Sequence, residues 1–170
     1  MRYLVLAGVS AVSMIMTACI SPHLSIVNAQ MDVMLAAMLC MVLREKTLTP
    51  VFYTAVMAVL MDAFFSRAFG FYTLQYLGTG LVIYLVMRTR RIDTAAVMAS
   101  GAGFWLLREI LGVWLCFLSD RPVGMSSRFV YSVLPGCIPQ VLLCLIVHWL
   151  MGKLYAHRFV WPIGLYSDHN

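Results

Sequence analysis

The sequence has little charge. Of its 170 residues, 11% are charged and only 7 are Asp or Glu, whereas about a quarter of the residues of a soluble domain are charged. Hydrophobic residues make up 62% of the chain, against roughly 45–50% in soluble domains. Because a small globule leaves much of its surface in water, this composition excludes a soluble enzyme, a disordered segment and a nucleic-acid-binding module. It predicts an integral membrane protein.

Signatures of catalysis and of metal binding are also missing. The sequence contains no glycine-rich phosphate loop, no HExxH motif and no nucleophile elbow. Its cysteines form no CxxC pair and lie in apolar runs, where a free thiol behaves as a small hydrophobic group: Cys19, Cys40, Cys116, Cys137 and Cys144. We therefore expect a non-enzymatic protein without a cofactor, a metal or a small-molecule substrate.

Six apolar segments are each close to the roughly 20 residues that a membrane-spanning helix needs. They predict an all-α polytopic transmembrane bundle, with residues 1–170 forming one integral-membrane domain. Pro135 and Pro139 are expected to kink the last helix. The predicted spans are 3–20, 26–43, 50–69, 71–87, 94–118 and 129–154.

Basic residues in the short loops predict the orientation, because cytoplasmic loops are enriched in Lys and Arg. With a cytoplasmic N-terminus, the outer loops receive Arg67, Arg121 and Arg128. The cytoplasmic side receives the larger set, in which Arg88, Arg90 and Arg91 form a cluster that can face cytoplasmic partners or anionic lipid: Arg2, Arg44, Lys46, Arg88, Arg90, Arg91, Lys153 and Arg158. This pattern favours a multi-pass membrane protein with both termini in the cytoplasm.

The N-terminal segment has two interpretations. Residues 1–20 resemble a signal sequence, and the tetrapeptide that ends at Cys19 loosely resembles a lipoprotein cleavage box. The region before the apolar run holds only Arg2, and Met16 is a poor first residue for such a box. We expect the first helix to be retained. A diacylated Cys19 detected by mass spectrometry would contradict this expectation.

A few polar side chains fall within the apolar segments, where they are costly and usually face the bundle interior. With a rise of about 1.5 Å per residue, they lie at a similar depth, somewhat outside the midplane. We expect one buried polar layer in which Arg108 pairs with Asp62 or Asp32. This layer either fixes helix register or lines a groove for a partner, and its members are Asp32, Asp62, Arg108, Glu109 and Gln140.

Small residues at four-residue spacing predict close approach of helices. Two such patterns are present, one in the first segment and one in the fifth. They are expected to pack within the chain or to mark a partner helix: Ala7, Ala11, Ala95, Ala99 and Gly103.

The stretch from Asp62 through the fourth segment resembles the signature of the rod shape-determining protein MreD family. That family has an Asp in the third span with glycines four and eight residues later, positions held here by Ser66 and Gly70. Its Arg-Pro-Asp entry to the second span is similar to the residues ending at Asp32, without the Arg and Pro. The resemblance covers about residues 24–155 and is that of a divergent member of the family.

Three further positions extend the resemblance towards the end of the chain. Glu109 matches the family's acidic residue in the fifth span. Pro135 and Gln140 are similar to a Pro and Asn five residues apart in its last span. The resemblance implies a membrane component of the bacterial cell-elongation machinery that supports peptidoglycan synthesis and rod shape. The implied partners are MreC and, through it, RodA, a class B penicillin-binding protein and MreB.

A second hypothesis is the substrate-binding S component of an energy-coupling-factor vitamin transporter, a protein class that six short-looped helices with a polar layer would also suit. Such proteins carry an Ala-xxx-Ala motif in the first span, and Ala7 and Ala11 match it. The predicted first external loop, residues 21–25, is short for the lid of a substrate pocket. An oligomeric channel is less consistent with the sequence, which has no charged ring or filter-like segment.

Overall fold

The computed structural model describes residues 2–20, 31–65, 70–89, 94–118 and 133–156, and the regular secondary structure within these ranges is helical. Helix α1 continues directly into a short π-helical segment, Met16–Ile20. The helices are α1 (Arg2–Ile15), α2 (Val33–Glu45), α3 (Thr49–Phe65), α4 (Phe71–Met87), α5 (Thr94–Leu118) and α6 (Leu134–Ala156). The all-α fold class is thus confirmed for the described residues.

Helix α2 lies at the centre of the bundle. It packs against each of the other five helices, and its neighbours pack in the order α1, α3, α4, α5, α6 around it. Every residue of α2 from Met34 to Leu43 is at most 3% exposed. A helix that is apolar on all sides is normally enclosed on all sides, so the sequence of α2 fits its central position.

The outer faces of the surrounding helices are apolar. Side chains such as Phe117 of α5 and Ile138 of α6 are 78% and 71% exposed. Two described helical stretches are long and apolar enough to cross a membrane, Thr94–Leu118 and Gly136–Tyr155. Three shorter apolar helices accompany them, Tyr3–Cys19, Thr49–Phe65 and Phe71–Met87.

The predicted and observed helix limits agree best where charge or glycine interrupts an apolar run. Helices α4 and α5 have the predicted limits, 71–87 and 94–118. The second helix differs, because it begins at Val33 with Asp32 as its N-cap, so Asp32 precedes the helix in which it was expected. Pro139 lies inside α6, and Pro135 lies in the first turn of α6, where proline is tolerated.

Candidate functional site

Asp32 is the centre of a buried polar cluster at the end of the bundle where α2 begins. Its carboxylate accepts a hydrogen bond from the backbone N–H of Leu35 at 2.9 Å, which caps the helix, and another from the hydroxyl of Tyr76 at 2.6 Å. The Nε of Arg108 lies 2.8 Å from Asp32 Oδ2. Asp32 is 1% exposed, so a buried carboxylate is compensated by a cation and two donors.

Arg108 connects this cluster to α5. Its Nη1 lies 2.6 Å from the carboxylate of the adjacent Glu109, and its guanidinium carbon lies within 6 Å of the rings of Tyr76 (5.7 Å) and Trp105 (5.5 Å). The predicted ion pair of Arg108 is therefore formed with Asp32. Glu109 lies beside the same guanidinium.

Gln140 joins α6 to the start of α2 through its amide. Its Oε1 accepts from the backbone N–H of Asp32 at 2.9 Å, and its Nε2 donates to the backbone carbonyl of Asp32 at 3.0 Å. Gln140 is fully buried. Only a side chain with both a donor and an acceptor satisfies both backbone groups, which explains an amide at this position.

Gln75 and Thr17 hold further elements against the same cluster. The Nε2 of Gln75 donates to the carbonyl of Arg108 at 2.9 Å, which links α4 to α5. The hydroxyl of Thr17 accepts from the N–H of Met34 at 2.9 Å, which links the π-helical segment to α2. Neither residue was predicted from the sequence. Both could have been found from the sequence as polar side chains within apolar runs, at the same predicted depth as Asp32.

Asp62 is separate from this cluster and has a different role. Its carboxylate accepts from the backbone N–H groups of Tyr72 and Thr73 at 2.9 and 2.8 Å, and from the hydroxyl of Thr73 at 2.6 Å. Asp62 of α3 therefore caps the first turn of α4. The expectation of a single layer containing all five residues is wrong for Asp62, because its carboxylate is held at the α3–α4 turn.

Gly70 completes this turn. It precedes α4 with φ of +93°, a backbone conformation that residues with a Cβ atom adopt at a cost. The glycine of the motif is thus explained by the backbone, and its aspartate by the orphan N–H groups of the helix that follows. Ser66 lies outside the described residues, and Pro135 is placed only as part of the first turn of α6.

Of the small residues predicted to pack, only those of the first helix are partly buried. Ala95, Ala99 and Gly103 of α5 are exposed, whereas Ala7 and Ala11 of α1 are half-buried. The α5 pattern therefore does not mark packing within the described part of the chain, and its other interpretation, a partner helix, stays a prediction.

Other glycines, which the sequence analysis did not single out for packing, allow the close approaches around α5. A Cβ atom on Gly101 would lie 3.0 Å from the Sγ of Cys144, and one on Gly112 would lie 2.8 Å from the Nε2 of Gln75. On α4, a Cβ atom on Gly80 would lie 2.8 Å from a methyl of Val51.

A second set of polar contacts joins α2 and α6 at the opposite end of the bundle. Arg44 donates from Nη2 to the carbonyl of His148 at 3.4 Å, and its guanidinium carbon lies 5.5 Å from the ring centre of Tyr155. The hydroxyl of Tyr155 donates to Glu45 at 2.9 Å. These contacts fix the far end of the central helix.

Of the predicted basic cluster, the structure describes Arg88. Arg88 is the exposed C-cap of α4, and its guanidinium carbon lies 5.8 Å from the ring centre of Tyr84. Arg90 and Arg91 lie outside the described residues.

An open groove of about 530 Å³ lies between α1 and α6, with α2 as its floor. One wall extends from Val5 of α1 to Met16 of the π-helical segment, and the other from Val147 to Leu154 of α6. Val33 and Ala37 of α2 form the floor. The lining is apolar except for Ser13, whose hydroxyl donates to the carbonyl of Ser10 at 2.8 Å.

The described side chains include no group of His, Cys, Asp and Glu arranged to hold a metal ion, and all five cysteines are free thiols. The polar clusters bind other parts of the same chain. The contacts of the candidate site therefore hold α2 against its neighbours within the described part of the chain. Comparison of the chain with protein-family models, with curated proteins and with solved structures gives no match.

Proposed function

We propose that the chain is a non-enzymatic component of the bacterial cell-elongation machinery that binds MreC in the cytoplasmic membrane. It has six membrane spans with both termini in the cytoplasm. Through MreC it acts with RodA, a class B penicillin-binding protein and MreB, and so supports peptidoglycan synthesis and rod shape.

One observation carries this proposal: the residues that resemble the family signature are engaged in specific structural contacts. Asp32 and Gln140 are 108 positions apart and share two hydrogen bonds. Asp62 and Gly70 together build the α3–α4 turn. Residues that form such contacts are expected to depend on each other. This supports an architecture shared with that family.

The membrane location is supported by the distribution of apolar and charged side chains. Large hydrophobic residues are exposed on all five helices around α2, at values from 37% to 78%. Soluble monomers rarely expose apolar patches of more than a few hundred Å². The buried carboxylates are instead satisfied within the chain, Asp32 by Arg108 and Asp62 by the first turn of α4, as expected for ionisable groups within a bilayer.

Co-purification with MreC tests the function. The chain and MreC are co-expressed, solubilised in a mild detergent and purified through a tag on either protein. We expect each to retain the other. A RodA–class B penicillin-binding protein pair, purified in the same detergent, controls for loss of membrane complexes. Absence of MreC under conditions that retain this control pair would refute the function.

Two further measurements address the rival hypothesis and the topology. Retention of a vitamin by the purified protein would favour the S component of a vitamin transporter. Reporter fusions test the orientation: fusions after residue 158 are expected to report the cytoplasm, and insertions within 119–132 the opposite side. An inverted pattern would contradict the orientation.

A further inference from the structure

Basic side chains are concentrated at the end of the bundle where α2, α4 and α6 terminate. The contact between Arg44 and His148 brings the ends of α2 and α6 together. Helix α3 begins here, directly after α2, and α4 terminates here because Asp62 joins the other end of α3 to the start of α4. The described acids other than Glu45 lie towards the opposite end of the bundle, whereas this end carries Arg44, Lys46, Arg88 and Lys153.

Arg44 is the half-buried member of this group, and it forms no ion pair with a carboxylate of the described residues. Its Nη2 makes one long contact, 3.4 Å, with the carbonyl of His148, and its Nε is buried without an acceptor. The carboxylate of the adjacent Glu45 accepts from Tyr155. Because a half-buried cation is costly without an anion, Arg44 has both the charge and the donors to bind an anionic ligand.

Two exposed cations lie close to Arg44. Lys46 is the C-cap of α2, two residues later. Lys153 follows Gly152, on which a Cβ atom would lie 3.3 Å from Nη2 of Arg44. The ammonium of Lys153 lies 3.8 Å from the ring centre of Trp149, which holds this cation along the outer face of α6. The ends of α2 and α6 therefore form one positively charged surface.

The surface that continues from Lys153 along α6 is apolar. Trp149, Ile146 and Leu142 are 58%, 57% and 56% exposed, and their spacing of three and four residues places them on the same helix face as Lys153. The face extends over roughly 16 Å from Lys153 to Leu142. A soluble anion would use only the cations, whereas a lipid has an anionic headgroup and apolar chains in the same order as this surface.

We propose that the surface where α2 and α6 terminate binds the headgroup of an anionic glycerophospholipid. The guanidinium of Arg44 donates paired N–H groups to the phosphate, Lys153 adds a second positive charge, and the acyl chains lie along the exposed face of α6. A zwitterionic lipid fits less well, because its ammonium would meet a surface with a net positive charge. This inference rests on the membrane location in the proposed function and is independent of MreC.

Native mass spectrometry of the full chain, purified in a mild detergent, tests the site. The chain is titrated with phosphatidylglycerol or with phosphatidylcholine of the same acyl chains, and we expect tighter binding of phosphatidylglycerol. Arg44→Gln and Lys153→Gln should each weaken its binding about fivefold. Arg88→Gln is the matched control, since it removes the same charge from the same end of the bundle, on α4, and should leave binding unchanged.

Two variants keep the test informative if Arg44→Gln lowers the thermal unfolding temperature. Lys153 is exposed, so Lys153→Gln should retain the stability of the wild type. Arg44→Lys keeps the charge but loses the paired donors, and it should weaken the binding of phosphatidylglycerol less than Arg44→Gln does. Equal losses from these two Arg44 variants would refute the role of the charge.

The remaining outcomes separate this inference from the function. Equal affinity of the wild type for the two lipids would refute it. An equal loss from Arg88→Gln would assign the attraction to the charge of the whole end and refute the site. Glycerol phosphate bound as tightly as the lipid would make the ligand a soluble anion. Recovery of the chain in the soluble fraction after alkaline extraction of membranes would refute the membrane location and this inference together, whereas selective lipid binding without retention of MreC would support the site and refute the function.

Discussion

Replacement of Arg108 by Met is expected to destabilise the bundle more than replacement of Asp32 by Asn. Arg108 lies beside two carboxylates, Asp32 at 2.8 Å and Glu109 at 2.6 Å. Without the guanidinium, both acids are left in the interior without a cation. Removal of one partner from a buried ion pair costs about 3–5 kcal/mol, so we expect Arg108→Met to lower the free energy of unfolding by about 4 kcal/mol.

The Asp32→Asn variant retains more of the contacts that residue 32 makes. Asn is as good an N-cap as Asp, so the bond from the N–H of Leu35 is kept, and Arg108 still has Glu109 as its counter-ion. The main losses are the attraction between the opposite charges and the extra strength of the hydrogen bond from Tyr76 to a charged acceptor. A charge-assisted hydrogen bond exceeds a neutral one by about 1 kcal/mol, and we expect a total cost of about 2 kcal/mol.

The double variant tests whether the two residues act as a pair. Asp32→Asn combined with Arg108→Met removes both charges, so its cost should be smaller than the sum of the single costs by at least about 1 kcal/mol. Equilibrium unfolding in mixed detergent micelles, followed by circular dichroism, measures all three values. Arg88→Met, at an exposed position, is the control and should change stability by less than about 0.5 kcal/mol. Equal single costs, or strict additivity, would refute this reasoning.

Three further predictions use the same unfolding measurement. Gly70→Ala should cost about 1–2 kcal/mol, because a Cβ atom is unfavourable at a φ of +93°; an unchanged stability would contradict the assigned turn. Asp62→Ala should cost about 1–2 kcal/mol through the lost helix cap, and Asp62→Lys should not be rescued by Arg108→Asp, since those side chains are not paired with each other. Gly101→Leu should cost at least about 2 kcal/mol, because its Cβ atom meets α6 at 3.0 Å, whereas Gly103→Leu on the same helix should cost little.

Much of the linear organisation could be predicted because apolar runs with abrupt ends define helices. Arg88 ends α4, and α5 has the predicted limits of Thr94 and Leu118. The start of α2 was not predicted, because the apolar run continues through the cap at Asp32. A helix enclosed on every side also lacks a polar face to mark its limits.

The depth of the polar residues was predictable, but their direction around each helix axis was not. A constant rise per residue places Asp32, Arg108 and Gln140 at one level, and these three are in contact in the structure. Asp62 is at a similar depth, yet it points to the start of α4. The packing of the helices in three dimensions decides which of them are neighbours. The spacing of residues along the sequence does not determine this packing. For the same reason, the sequence did not predict that the small residues of α5 are exposed.

The separation of polar and apolar surfaces has a consequence for how variants of this protein should behave. The carboxylates of Asp32 and Asp62 are already used, one by Tyr76, Leu35 and Arg108, the other by the first turn of α4. Few polar groups of these clusters therefore remain for a partner, and the exposed apolar faces of the outer helices are the surfaces available to one within a bilayer. Variants in the polar clusters should lose partner binding only in proportion to lost stability, whereas variants on an exposed face that contacts the partner should lose binding at wild-type stability. Measurement of both quantities on each variant distinguishes residues that build the bundle from residues that recognise the partner.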